Sequence, residues 1–280
     1  MIAVNNLSFS YKDKEIFSQT SFVLRPNRIY GLIGPNGVGK TTLISILAGI
    51  QSQGNASISN VKHPGLLLQG VGFYENLTVL DNLKISKFDK KSSSISIEQV
   101  LALVKMTDYH SVKYSNLSQG YKQRLGIARS LLTDGNLVLL DEPFTAVDVQ
   151  TVRLLKKSIL DYVASTQKTI VISSHQLKII DDLIDQPLMI KAKKVHSFDL
   201  KETEQRDRII YLWMDEPDRI YSVENMDEYA VLGNCIDNIL EIRLLEEIEL
   251  RDFIGLLQVD GVSWKRLDKE MPLEFFYFNE

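Results

Sequence analysis

The sequence predicts an α/β fold built on a parallel central sheet, followed by a smaller α+β unit. Three observations lead to that expectation. The runs "RIYGLI" (28–33), "LVLLDE" (137–142) and "TIVISSH" (169–175) are short and continuously apolar until their ends. Such runs suit strands buried on both faces of a parallel sheet. A glycine-rich stretch separates the first run from an amphipathic pattern of helical period, "LISILAG", whose Leu43, Leu47 and Ile50 share one face near Gly49. Beyond residue 195 the order changes to strand, helix, strand, strand, helix, strand, which is the ferredoxin-like order.

Composition narrows the function classes. The 280 residues suffice for one large domain or a large and a small one, and 44% hydrophobic with 24% charged residues is ordinary for a globular protein. A net charge of −4 leaves no electrostatic footprint for nucleic acid. The single cysteine, Cys235, excludes a disulfide framework within the chain and a cysteine-based zinc site, and suits the cytosol. The start has no basic region leading into a long apolar core, so no signal peptide is expected. No apolar run approaches the roughly 20 residues that cross a bilayer. Any membrane contact is expected to run through a partner.

The glycine-rich stretch is Gly34-Pro35-Asn36-Gly37-Val38-Gly39-Lys40-Thr41, followed by Thr42. It satisfies G-x-x-x-x-G-K-[ST] between an expected strand and an expected helix. Its glycines let backbone N–H groups turn inward around phosphate oxygens at a helix N-terminus that already favours anions. Lys40 then reaches the β- and γ-phosphates, and the Thr41 hydroxyl serves magnesium. The reading is a site for a nucleoside triphosphate, in a phosphate-loop NTPase core. Just upstream, Pro26-Asn27 reads as a tight turn, with asparagine taking the left-handed position.

Asp-Glu-Pro occurs twice, at 141–143 and 215–217. The first copy ends a buried run, where Asp141 would hold magnesium. Glu142, one residue on, would face the γ-phosphate and polarise the attacking water. His175 ends the next run and would meet the γ-phosphate or steady the loops around it. The second copy has no phosphate loop beside it. There Pro217 would open a helix over 217–226, with Asp215 and Glu216 as cap and dipole partners, so that pair is expected to be structural.

With these motifs in order, the chain over residues 1–195 resembles the nucleotide-binding subunits of ATP-binding cassette (ABC) transporters. Tyr11 stands where that family has an aromatic that stacks on adenine. Gln69 matches the glutamine whose loop senses magnesium and touches the membrane partner. "NLSQGYKQRLGIARSLL" (116–132) matches the family signature LSGGQ and its helix, and "TAVD" (145–148) the loop that crosses to the other subunit. The signature keeps Ser118 and Gly120, while Gln119 and Tyr121 replace a glycine and the last glutamine; it is read as working. The resemblance implies an antiparallel β subdomain, and a helical arm made of "LTVLDNLKISKF" and "IEQVLALVKM" joined by "DKKSSSIS" (89–96). Phe73-Tyr74 would lie near the permease-facing surface.

The resemblance further implies ATP and Mg2+ as cofactors, with Ser118 and Gly120 closing over a nucleotide bound at Lys40 of a second ATP-binding subunit. A homodimer is the expected form, and pairing with a different cassette stays open. The expected assignment is therefore an ATP-binding domain over 1–195 and an accessory α+β domain over 196–280. Together they would form an ATP-hydrolysing motor on the cytoplasmic face of the membrane, serving separate permease subunits. Export is favoured by a weak likeness of the tail "MPLEFFYFNE" to single-cassette bacterial exporters. The alternative is a soluble ABC ATPase acting on a macromolecular partner.

Overall fold

The computed structural model describes residues 1–12, 14–52, 54–68, 72–87, 95–145, 147–175, 177–197, 209–245 and 248–268. Gln69, Ala146, most of the polar joint at 89–96 and the tail segment 271–280 lie outside them. The chain divides into two units, Met1–Phe198 and Asp199–Glu280.

In the first unit the fully apolar runs become the middle of a six-stranded sheet. Strands β3 (Ile29–Ile33), β6 (Leu137–Leu140) and β7 (Thr169–Ser174) are buried at every position. They are flanked by β5 (Gly65–Leu67), β8 (Gln186–Lys191) and β9 (Lys194–Ser197), in the order β5-β6-β7-β3-β8-β9. All neighbours run parallel except β8 and β9. Register decides what the sheet presents at its carboxyl end. Ile33 lies beside Ser174, and Leu140 beside Ile172. Gly34, Asp141 and His175 therefore all leave the sheet at one edge, as ligand sites of open α/β sheets do.

Helix α1 (Lys40–Leu47) follows the first of these strands and buries Leu43, Ile44 and Leu47. It ends where Gly49, at φ 73°, donates to the Ile46 carbonyl, a C-terminal position that suits glycine. The buried face packs with Phe17, Leu24, Tyr30 and Leu139 in one cluster. Phe17 and Leu24 belong to a three-stranded antiparallel sheet of β1 (Ile2–Tyr11), β2 (Lys14–Leu24) and β4 (Ser57–Ser59). Fully burying one such side chain contributes about 1.5–3 kcal/mol, so this shared core fixes where the loop between β3 and α1 stands. Asn27 takes φ 55° in the turn that enters β3.

The arm carries α2 (Val79–Lys87) and α3 (Ile97–Leu103). The latter starts on a capping box, in which the Ser96 hydroxyl accepts from the Gln99 N–H and the Gln99 amide accepts from the Ser96 N–H. Helix α4 (Gln119–Leu131) follows, and α5 (Val149–Thr166) begins on Asp148, whose carboxylate accepts from the Thr151 N–H at 2.9 Å. A short helix, α6 (Leu177–Ile180), leads from β7 toward β8.

The second unit is a four-stranded antiparallel sheet. Its strands β10 (Ile209–Trp213), β11 (Ala230–Ile236), β12 (Ile239–Leu244) and β13 (Arg266–Asp268) lie in the order β11-β12-β10-β13. That is the ferredoxin-like arrangement. Helix α8 (Leu250–Val259) buries Phe253 and Leu257 against Ile210, Leu212, Leu240 and Ile242.

The first crossover departs from expectation. The single helix expected over 217–226 is a 3-10 segment, Pro217–Ser222, followed by one α-helical turn, α7 (Met226–Tyr229). Val223 is extended and Asn225 is left-handed, which ends one helix and begins the next. Nor does Glu216 cap: its carboxylate pairs with Arg219 at 2.7 Å, and Asp215 pairs with Lys265. Both pairs are largely exposed, and such surface pairs are worth about 0–1 kcal/mol. Glu216→Gln should therefore leave ATP turnover at the wild-type rate and lower stability by at most about 1 kcal/mol. Parallel turnover and urea-unfolding measurements check both halves.

Candidate functional site: a nucleotide cleft at the sheet's carboxyl edge

The loop between β3 and α1 is shaped by its glycines. Gly37 stands at φ 79° and Gly39 at φ 120°, values open to glycine and costly for other residues. A Cβ on Gly39 would come within 2.6 Å of Ile16 Cγ2, so strand β2 also forbids a side chain there. Gly34 is closed on its own side, since a Cβ would meet Val38 Cγ1 at 2.6 Å. No acidic residue occupies the first turn of α1, and no side chain caps it. Its N–H groups are thus left for an anion.

Lys40 is buried, and its ammonium donates to the Gly34 carbonyl at 2.7 Å and the Pro35 carbonyl at 3.2 Å. Burial pushes its pKa below the usual lysine range, while the carboxylates of Glu142 and Asp141 pull it back up. A phosphate would act in the same sense as those carboxylates, favouring the charged ammonium.

Thr41 and Asp141, one hundred residues apart in sequence, meet directly. The Thr41 hydroxyl donates to Asp141 Oδ2 at 2.8 Å. A hydroxyl and a carboxylate are hard oxygen donors, and Mg2+ commonly takes few protein ligands, completing its shell with water and substrate phosphates. Among the described residues no group of three His, Cys, Asp or Glu could hold a metal. The Thr41–Asp141 pair of oxygen donors fits a Mg2+ that is bound together with a nucleotide.

Glu142 is held from several sides. Its carboxylate Oε2 lies 2.9 Å from His175 Nδ1 and accepts from the Thr145 hydroxyl at 3.3 Å. Its backbone stands at φ 49° immediately before Pro143. This conformation is rare for a non-glycine residue and disfavoured ahead of proline, and such conformations persist only where surrounding structure over-determines them. Part of that structure is Ser173, whose Oγ accepts from the Glu142 N–H at 2.9 Å and donates to Asp141 Oδ1 at 2.6 Å. Ser173 escaped the sequence reading. Its only trace there is a hydroxyl pair closing an otherwise apolar run, "TIVISSH".

A cleft of about 480 Å³ is lined by Tyr11, Asn36, Gly37, Gly39, Lys40, Thr41, Thr42, Asp141, Glu142 and His175. Lys14, Ile16 and Thr145, not foreseen as site residues, complete its wall. Tyr11 stands edge-to-face against Phe9 at 4.9 Å and remains half-exposed at the mouth. Gly34 shapes the loop from behind the wall. Gln69 lies outside the described residues.

Ser118 and Gly120 are placed elsewhere. They line a second opening, of about 360 Å³, with Tyr121, Arg124, Asp148 and Thr151. Among the described residues none lines both openings. Ser118 is the N-cap of α4, yet its side chain makes no capping hydrogen bond. Tyr121, the departure from the signature pattern, stacks on Tyr109 with ring centroids 4.0 Å apart and shares a 2.7 Å hydroxyl–hydroxyl bond with it. It thereby ties the start of α4 to the arm. Of the two aromatics in Phe73-Tyr74, Phe73 is fastened by stacking on Tyr114 under the Arg129 guanidinium, and Tyr74 is exposed.

A glycine loop between a buried parallel strand and a helix, with a lysine, a threonine and a strand-end aspartate meeting at its mouth, defines a phosphate-loop nucleoside triphosphatase. Comparison with known proteins gives the family. Residues 17–145 match the model described as "ABC transporter". An uncharacterized ABC transporter ATP-binding protein of Methanocaldococcus jannaschii is 36% identical over 200 residues, covering 70% of this chain and 76% of the relative. A zinc import ATP-binding protein of Buchnera aphidicola is 36% identical over 182 residues, covering 64% of this chain and 76% of the relative. A lantibiotic transport ATP-binding protein of Streptococcus pyogenes is 32% identical over 194 residues, covering 66% and 84%. A solved ATP-binding subunit of an ABC transporter superposes with a TM-score of 0.63 over 81% of this chain and 97% of that one, at 21% identity. The chain belongs to the ATP-binding subunits of ABC transporters, and it is an ATPase.

Proposed function

We propose that the chain is the ATP-hydrolysing motor of an exporter whose permease is a separate polypeptide, working as a homodimer on the cytoplasmic face of the membrane. The observation that carries the pairing is the separation of the two openings. Lys40 lies in one and Ser118 in the other, with no described lining residue in common. A signature helix with an uncommitted Ser118 hydroxyl then serves the nucleotide of a second copy. Among the described residues no helix is long and apolar enough to cross a membrane, which agrees with attachment through a permease. Export rests on the likeness of the tail alone, since relatives at similar identity are named for zinc import and for lantibiotic transport. Co-reconstitution with the permease encoded beside it would give the direction.

In this reading the backbone N–H groups at the start of α1 and the Lys40 ammonium hold the β- and γ-phosphates, and Tyr11 stacks on the base. Thr41 and Asp141 would hold magnesium, which would supply neutralisation of the charge developing on the phosphates. Gln69, by its match to the family's glutamine, would serve that metal and the permease. Glu142 takes a proton from the attacking water, and His175 holds the Glu142 carboxylate toward the γ-phosphate. Gly120 allows the close approach of the neighbouring signature.

Ser118→Arg should fill the space of the partner's γ-phosphate. ATP-dependent dimerisation in a Glu142→Gln background should be lost, while nucleotide affinity at Lys40 stays within about threefold, a free-energy change under ~1 kcal/mol. Sedimentation with ATP and Mg2+ measures the first, and titration of a fluorescent nucleotide the second. Dimers forming as readily as without the arginine would remove the head-to-tail arrangement.

A further inference from the structure

Ser173 is fully buried in β7, two positions from Val171 on the same face, and its single hydroxyl serves two residues at the carboxyl end of the sheet at once. It donates to Asp141 Oδ1 at 2.6 Å, while Thr41 donates to Asp141 Oδ2 at 2.8 Å. Both carboxylate oxygens are thus engaged, one from α1 and one from β7, so two hydrogen bonds oppose rotation of the carboxylate. The same Ser173 oxygen accepts the Glu142 N–H at 2.9 Å. Without it, a backbone donor at φ 49° next to a proline loses a partner that holds it there.

We propose that Ser173 is a positioning residue of the ATPase site: one hydroxyl on the neighbouring strand sets both the orientation of the Asp141 carboxylate and the strained backbone from which Glu142 projects. This rests on the roles given above to Asp141 and Glu142. Ser173 itself is fully buried and is not among the residues that line the cleft. Its place in β7 links the two acids to the strand that leads into His175, so a single sheet register aligns the acids with the residue that contacts Glu142. A serine retained only to fill space would be replaced by alanine with little consequence. Removing a partner that orients a metal-binding carboxylate typically costs 10–100-fold in metal affinity or activity.

The test uses the full chain, a non-hydrolysable ATP analogue and Mn2+ in place of Mg2+, with free Mn2+ read by electron paramagnetic resonance. Ser173→Ala should weaken Mn2+ binding by about 10-fold, with nucleotide binding in EDTA unchanged. Ser173→Thr, which keeps the hydroxyl, should bind Mn2+ as wild type does. In an Asp141→Asn background, Ser173→Ala should add no further loss, because neighbours sharing one function are not additive. Wild-type Mn2+ affinity in Ser173→Ala, a threonine as damaging as alanine, or simple additivity with Asp141→Asn would each overturn the proposal. If Asp141→Asn alone left Mn2+ binding intact, the reading of Asp141 would fall first and this inference with it.

Discussion

Lys40→Ala should abolish magnesium-dependent ATP hydrolysis. Phosphoryl transfer asks little covalent chemistry of the protein, which contributes positioning and charge stabilisation. Lys40 is the cation at the bottom of the loop, buried and already aimed by the carbonyls of Gly34 and Pro35. Loss of one preorganised donor commonly costs roughly 10²–10³-fold in rate. In the proposed reading the same cation also carries ground-state binding, so turnover should fall to background. Steady-state phosphate release is the measurement. Release equal to wild type under matched conditions would sink the assignment of this loop.

Glu142→Gln gives the second large effect, and its character differs. Glutamine keeps the length and polarity of the side chain against His175 and Thr145 but cannot take a proton from water at neutral pH. Removal of a general base costs roughly 10²–10⁴-fold. Nucleotide affinity should stay close to wild type, because Lys40 and the start of α1 are untouched. Single-turnover kinetics with ATP in slow chase would show bound, uncleaved nucleotide. Normal cleavage with weak binding would assign Glu142 to holding the nucleotide and leave the base unidentified.

These outcomes follow from residues that were readable in one dimension. Gly34–Thr41 has a fixed spacing imposed by a turn around phosphate, and buried parallel strands leave continuous apolar runs, so the loop and the first acid pair stood out. The meeting of Thr41 with Asp141 could be anticipated because both follow such strands. Ser173 could not: its partners depend on β6 lying beside β7 in one register, with Leu140 opposite Ile172, and a hydroxyl pair at the end of a strand carries no period. The Tyr109–Tyr121 stack joins two elements through side chains alone and leaves no pattern either. In the second unit, the alternation of strands and helices gave the order of elements. The expected helix over 217–226 failed because Pro217 sets only a start, while an extended Val223 and a left-handed Asn225 interrupt the run. Periodicity was too weak there to show the break.

The separation of the Lys40 opening from the Ser118 opening has a genetic consequence. In a pair assembled as proposed, each working centre draws its phosphate loop from one copy and its signature from the other. A copy damaged at Lys40 and a copy damaged at Ser118 are therefore unlike lesions. Brought together in one pair, both faults fall in the same centre and the other centre is whole. Two copies with the same fault spoil both centres. Alleles at these two positions would thus complement each other in a mixed population, although each alone is defective.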